Sequence, residues 1–393
     1  MSGGQERAAD GVRVTLATRI FAPEPAAASF RLAALTRGLA SLGARVRVLT
    51  TTVPGRAEPS PGAGVAVERW PVLRDPEGYV RGYVQYLSFD APLLLRLLRT
   101  PRPDVLVCEP PPTTGAVVRL AARLRRVPYV YYAADVWADA AESAGMPGAV
   151  VRALRTVERW AMGGAACVIA VSEPVAARLH ELGVQRVEVV PNGVDTEVFT
   201  PEGPAVDDGG RPYLLYAGTA SEWQGADVFL RALPRVLESV PEARVVYLGQ
   251  GSDWHHLREL AADLPPGAVS FHARGPAEEA ARWQRGAAAC LASIVPGRGY
   301  DFAVPTKIHS ALACGSPVVF AGVGQAAEQV RDERLGWAVD HDPEAVAEAM
   351  VAALRAGRTP SEDARRAGWV RSHRSAAATG RRAAEVVTAA ARR

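Results

Sequence analysis

The chain has 393 residues, 48% of them hydrophobic, and carries 45 Lys+Arg against 42 Asp+Glu for a formal charge of +3. That length exceeds one ordinary core and suits two domains, while the composition excludes a disordered or fibrous chain. The small net charge, without a basic stripe interleaved with aromatics, argues against a nucleic-acid partner, and no apolar run reaches membrane-spanning length. The start, MSGGQERAADG, lacks a secretory h-region, so a cytoplasmic location is expected. Cys108, Cys167, Cys290 and Cys314 stand singly in apolar settings, without zinc-type spacing, and read as buried thiols.

In chain order, apolar runs and helical periodicity alternate. Val12 to Ala17 reads as a strand, Ser29 to Leu42 as an amphipathic helix stopped by Gly43, and Val46 to Thr50 and Val65 to Trp70 as strands. Tyr79 to Arg99 is helical, and Val105 to Cys108 is a strand running into Glu109 and three prolines. Helix over Thr114 to Arg126, strand over Tyr129 to Tyr132, helix over Met146 to Met162 and strand over Cys167 to Val171 follow. Ser172 suits a cap for the helix to Leu182, and Val187 to Val190 closes the half. Pro191 to Gly210, rich in Pro, Gly and Asp, reads as the linker.

The alternation restarts with a strand at Tyr213 to Ala217, a helix at Ala226 to Ser239, and strands at Val245 to Leu248, Val269 to Phe271, Ala288 to Leu291 and Val318 to Phe320. Strands alternating with helices at this spacing predict an α/β fold of two Rossmann-like, doubly wound parallel sheets, with ligands at the carboxyl ends of strands where the halves face a cleft. The expected domains are 1–199, 200–372, and an Ala- and Arg-rich helix over 373–393 that packs back on the first.

Several second-half loops sit at such strand ends. Gly218 and Thr219 follow one strand, Gln224 and Gly225 open the next helix, and Gly249-Gln250-Gly251 follows another strand. Glycine there lets backbone approach a phosphate, although a single glycine after a strand is equally a plain turn. The stretch VPTKIHSALACGSPVVF predicts a short helix with Pro305 first, an apolar stripe of Ile308, Ala311 and Leu312, and a stop at Gly315. A helix start is an anion site, and Lys307, the only lysine in the chain, stands in its first turn, where the dipole disfavours a cation unless an anion is present. A solvated lysine on an ordinary helix is the competing reading.

Residues 1–199 hold 23 arginines against 19 acids, with Arg119, Arg123, Arg125 and Arg126 on one helix and Arg152, Arg155 and Arg159 on another. Either these are solvated faces, or the first domain has a weak preference for a membrane surface or an anionic acceptor.

The segments PNGVDTEVFTP, LLYAGTASEWQGADVFLRAL, VVYLGQGSD and VPTKIHSALACGSPVVFAGVGQAAEQVRDERLGWAVDHDPEAVAEAM resemble family-four glycosyltransferases of the GT-B fold. FAPEPAAASFRLAALTRGLASLGARVRVLTT and YVYYAADVWADAA in the first half resemble the same family, particularly bacterial members that build surface polysaccharides. The resemblance covers nearly the whole chain, in family order. It implies transfer of a sugar from a nucleotide-sugar donor, UDP-linked by weak preference, to an acceptor hydroxyl on a surface polysaccharide, lipid-linked sugar or small natural product. Retention of configuration, no obligatory metal and no other cofactor follow from it. The diphosphate would lie at the Gly218 loop with Thr219, Gln224 and Gly251, and at Val304, Pro305, Thr306 and Lys307. The ribose would lie near Ser310, the base near Phe271, His272 and Arg274, and Glu328 would complete the donor side. The acceptor would pass Pro23, Glu24 and Pro25 towards Asp135 and Trp137, with Asp135 orienting or deprotonating its hydroxyl or, alternatively, capping a helix.

The family often has an Arg after Gly218, a Lys before Gly225, a ribose-binding Glu at position 310 and a His beside Asp135. Here those places hold Thr219, Gln224, Ser310 and Ala134. Lys307, with Arg298 or Arg274, is then left to supply most of the positive charge. A catalytically silent relative acting as a binding partner and a nucleotide-sugar epimerase stay open as alternatives.

Overall fold

The structure is a computed structural model describing residues 11–392 except 25, 59, 76–77, 81, 144 and 208. The chain forms two compact units, 1–192 with 376–393, and 193–375.

The first unit runs β1 (Arg13–Ala17), α1 (Ala27–Ser41), β2 (Arg45–Thr51), β3 (Val65–Trp70), α2 (Tyr83–Arg99), β4 (Val105–Cys108) and α3 (Pro112–Arg125). It continues through β5 (Tyr129–Ala133), α4 (Trp137–Ser143), α5 (Gly148–Gly163), β6 (Cys167–Ala170), α6 (Glu173–Glu181) and β7 (Val187–Val189). Its seven parallel strands are ordered β3-β2-β1-β4-β5-β6-β7, so the winding reverses between β1 and β4. The central strands β4, β5 and β6 are buried throughout, as runs such as VLVC and CVIA require of strands covered on both faces. Ser172 caps α6 as expected, its hydroxyl accepting from the Val175 N–H.

The second unit runs β8 (Tyr213–Thr219), α7 (Asp227–Ser239), β9 (Arg244–Gln250), α8 (Trp254–Ala262), β10 (Val269–Ala273), α9 (Ala277–Gly286) and β11 (Ala289–Ser293). Then come α10 (Thr306–Ala313), β12 (Val318–Ala321), α11 (Gln325–Asp332), β13 (Gly336–Val339), α12 (Pro343–Ala356) and α13 (Pro360–His373). The parallel order β10-β9-β8-β11-β12-β13 reverses between β8 and β11. α14 (Ala376–Ala391) belongs to the first unit.

Four features differ from expectation. The first unit ends at Asn192, because Val194 is buried in the second unit's core and bridges to Ser375. α4 and β13 carry no strong signal: the first is seven residues long, and the second is a half-buried edge strand. Pro305 is the residue before α10 rather than its first residue, with extended backbone.

α14 lies against α1, filling the first core with Ala383, Ala384 and Val387 beside Leu32, Leu35 and Leu39. The two helices cross at Gly38 and Gly380, where a Cβ on either would overlap the other helix's backbone. The four cysteines are buried and unbridged.

Candidate functional site

In the second unit the site grows from the switch point between β8 and β11, the place in a doubly wound sheet where ligands bind. β8 ends in Gly218 and Thr219, paired in register with Gly249 and Gln250 of β9. Gly249 has φ +150°, and a Cβ there would overlap the Gly218 carbonyl, so that position must be glycine. Gly251 lies equally close to the Ala220 carbonyl.

α10 follows β11 and buries Ile308, Ala311 and Leu312, which fixes its start against this loop. Lys307, half-buried, reaches back to β8. Its Nζ donates to the Thr219 carbonyl at 3.0 Å and lies 3.6 Å from the centre of the Tyr216 ring. Tyr216 is buried, and its hydroxyl donates to the same carbonyl at 3.1 Å. A Cβ at Gly218 would meet Lys307 Cε in ordinary contact at 3.4 Å, and it is the φ of +130° that favours glycine there. Among the described residues no carboxylate pairs with Lys307, and desolvation pushes its pKa well below the ordinary lysine value. A lysine partly shielded from water over a ring face and beside two exposed residues, Gly218 and Thr219, is one whose charge an anion would stabilise. Tyr216 could not be singled out from the sequence, where it is one more apolar residue of YLLYAGT.

The remaining donor-side residues divide. Val304 and Pro305 are half-buried and Thr306 exposed around the start of α10, and Glu328 is exposed in the first turn of α11. Arg274 is exposed just beyond β10, and Arg298 is exposed in the loop before α10. Phe271 stacks on Tyr247 at 5.2 Å and meets Trp254 edge-on, whereas His272 points to the other face of β10, 4.8 Å from Trp283. Two expected donor-side residues already hold internal partners. The Gln224 side chain is buried and accepts from the Ser221 N–H at 3.1 Å and lies 3.3 Å from the Tyr216 hydroxyl, closing a capping box around the turn Glu222–Gln224. Ser310 Oγ accepts from Gln284 Nε2 at 3.0 Å and lies 3.1 Å from the Lys307 carbonyl, because position 310 faces α9. Asp301 accepts the Gly297 N–H at 3.1 Å.

In the first unit the corresponding switch point holds a buried network that the sequence did not reveal. Glu109, directly after β4, accepts from Arg31 of α1 at 2.8 Å and lies 2.9 Å from Thr18 Oγ1, directly after β1. Arg31 also reaches Asn192 at 3.3 Å and covers the Tyr132 ring at 5.1 Å. Arg31 and Glu109 are 78 residues apart, so no local motif links them.

Asp135 follows β5, with its carboxylate exposed and without a hydrogen bond or ion pair among the described residues. Desolvation by surrounding protein raises its pKa, and the Arg31 charge opposes the rise. The helix-capping alternative belongs to another residue: Glu158 accepts the Trp137 and Ala138 N–H groups at 2.7 and 3.1 Å. The Trp137 ring meets Tyr86 edge-on at 5.7 Å. Glu24, expected on an acceptor path, is buried in an ion pair with Arg74 at 3.4 Å, and the Pro23 carbonyl faces Arg56. Pro25 lies outside the described residues.

Two long stretches of the chain match known families. Residues 27–193 match a glycosyl transferase 4-like domain, and residues 211–356 match glycosyl transferases group 1. The chain belongs to the family-four glycosyltransferases of the GT-B fold. Among curated glycosyltransferases it is 34% identical to D-inositol 3-phosphate glycosyltransferase of Nocardioides sp. over 197 residues, 44% of this chain and 42% of that protein. It is 31% identical to D-inositol 3-phosphate glycosyltransferase 1 of Catenulispora acidiphila over 280 residues, 62% and 64% of the two chains. The matched stretches span 42% and 64% of the length of these two relatives. Among solved structures, Anabaena Alr3699/HepE in complex with UDP superposes over 96% of this chain and all of the other, with a TM-score of 0.68 and 14% identity, a likeness of fold.

Proposed function

We propose that this chain is a nucleotide-sugar-dependent glycosyltransferase that moves a sugar from a nucleoside diphosphate to an acceptor hydroxyl with retention of configuration. The observation that carries the reading is the single lysine of the chain, held by Thr219 and Tyr216 at the β8/β11 switch point with no carboxylate partner among the described residues. Departure of a nucleoside diphosphate builds negative charge on a phosphate oxygen, and a fixed cation with helix N–H groups lowers that barrier. Gly218, Gly249 and Gly251 would let the diphosphate approach backbone, and Arg274 and Arg298 would add charge. In the first unit Asp135 would orient or deprotonate the acceptor hydroxyl, its raised pKa suiting a base. UDP is the preferred nucleotide, the one bound in the HepE structure. Acceptors to screen are lipid-linked sugars, small natural products and, from the names of the relatives, inositol phosphates.

A catalytically silent relative is the second reading, favoured by Gln224 and Ser310 being spent on internal hydrogen bonds. Incubation with UDP- and GDP-sugars, with and without chelator, separates the readings. Slow release of nucleoside diphosphate without acceptor, undiminished by chelator, is the expected result. Nucleotide binding without release indicates the silent relative, a new sugar still attached to its nucleotide indicates an epimerase, and rescue of a chelated enzyme by Mg²⁺ overturns the metal-independent mechanism.

A further inference from the structure

A lysine ammonium rides on a flexible four-carbon stem, so one that is to meet a phosphate must first be held in place. A carboxylate would hold it but would also cancel the charge that the phosphate requires. At Lys307 two groups without net charge do the holding. The Thr219 carbonyl accepts from Nζ at 3.0 Å, and the centre of the Tyr216 ring lies 3.6 Å from Nζ, inside the roughly 6 Å reach of a cation–π contact. Neither subtracts from the positive charge.

The ring is itself fixed on several sides. Tyr216 is wholly buried in β8, with the rings of Tyr247 at 5.5 Å and Phe229 at 6.3 Å between centres. Its hydroxyl donates to the same Thr219 carbonyl at 3.1 Å and lies 3.3 Å from Oε1 of the buried Gln224, so the strand and the turn after it set the plane of the ring. From the other side Ile308, Ala311 and Leu312 anchor α10 in the core and fix the backbone that carries the lysine. The ammonium is thus caught between a rigid π face and a rigid helix start, beside the exposed Gly218 and Thr219. Building on the proposed donor role of Lys307, we infer that Tyr216 is a positioning residue whose ring face seats the Lys307 ammonium, with its full charge, where the donor diphosphate meets it. Nucleotide affinity should then follow the electron density of the ring at position 216 rather than its bulk, and that dependence should vanish when the ammonium is removed.

The test is isothermal titration of UDP and GDP, the tighter of the two serving as probe, into the full chain and into ring variants, each made also on the Lys307→Ala background. Tyr216→Phe keeps the ring and should stay within about 3-fold of wild type. Fluorine at three positions of that phenylalanine withdraws electron density from its face with little change of shape, and should weaken binding about 5-fold relative to plain phenylalanine. Tyr216→Leu removes the ring and should weaken it about 5- to 30-fold. On the Lys307→Ala background none of these changes should move the affinity by more than about 2-fold. Tyr216→Leu also leaves a cavity in the core, so the fluorinated ring decides the matter if that variant does not fold. Equal binding by phenylalanine and its fluorinated form, or a loss that persists without Lys307, makes Tyr216 a packing residue and overturns the inference while the donor role of Lys307 stands. Binding of neither nucleotide by the wild type, or equal binding by Lys307→Ala and wild type, overturns that role and the inference with it.

Discussion

Replacing Lys307 with alanine separates a catalytic cation from a structural one. In the folded protein the ammonium gains a carbonyl acceptor and a ring face, contacts worth about 2–3 kcal/mol together. Its lowered pKa nevertheless shows that the protein disfavours the charge overall. The two effects oppose, so Lys307→Ala should shift the melting temperature of the ligand-free protein by only a few degrees. The loss should instead appear in catalysis. A phosphate contact that strengthens as the leaving group departs is worth about 2–4 kcal/mol, a fall in kcat/KM of roughly 30- to 1,000-fold. The pH dependence carries a sign. Because the folded pKa is depressed, Lys307 contributes to apo stability above its unfolded value, and that contribution is lost as pH falls through the folded pKa. A diphosphate prefers the protonated form, so its affinity should weaken as pH rises through the depressed pKa, well before the ordinary value of 10.5. Isothermal titration of UDP against pH, with donor-hydrolysis kinetics, reads both effects. Equal UDP affinity, turnover and pH profile in wild type and Lys307→Ala would refute the argument.

Asp135→Asn should cut turnover at least 100-fold with nucleotide affinity unchanged. A carboxylate with a raised pKa stabilises the fold below its unfolded pKa and loses that contribution as pH rises through the folded one, so the variant should melt at the same or a slightly higher temperature at pH 7; a marked fall, read by scanning calorimetry, would assign a structural role. Ser310→Ala should cost about 1–2 kcal/mol by stranding Gln284 Nε2, with donor KM unchanged; a raised KM at constant stability would return Ser310 to the ribose. Arg358 ties the carbonyls of Gln284, Ala287 and Cys314 to Asp363, so Arg358→Ala should cost about 3 kcal/mol and lower the melting temperature by roughly 6–12 °C in thermal unfolding.

Much of the architecture was legible because buried parallel strands announce themselves. VLVC, CVIA and VVFA are apolar at every position and bounded by helix signals, and each strand lies within a residue of its expected span. β13 escaped because GWAV opens with glycine and sits half-exposed at an edge. α4 escaped because its start is held by Glu158, some 20 residues away in α5. The same distinction governs the sites. Lys307 stood out as the lone lysine at a helix start, whereas its supports, Tyr216 and the Thr219 carbonyl, exist only once β8 and α10 meet. Ser310 and Gln224 were placed by position in a motif, and position does not reveal that a neighbouring helix or turn already takes the side chain.

The Gly38–Gly380 crossing bears on how this chain is made. The first unit lacks the helix that covers Leu32, Leu35 and Leu39 until everything up to residue 391 has been synthesised. On a ribosome the amino-terminal sheet must therefore wait, one apolar flank uncovered, while the whole second unit emerges and folds. The order of maturation is thus reversed relative to the order of translation, and a release of nascent chain before residue 376 would leave a finished second unit joined to an unfinished first.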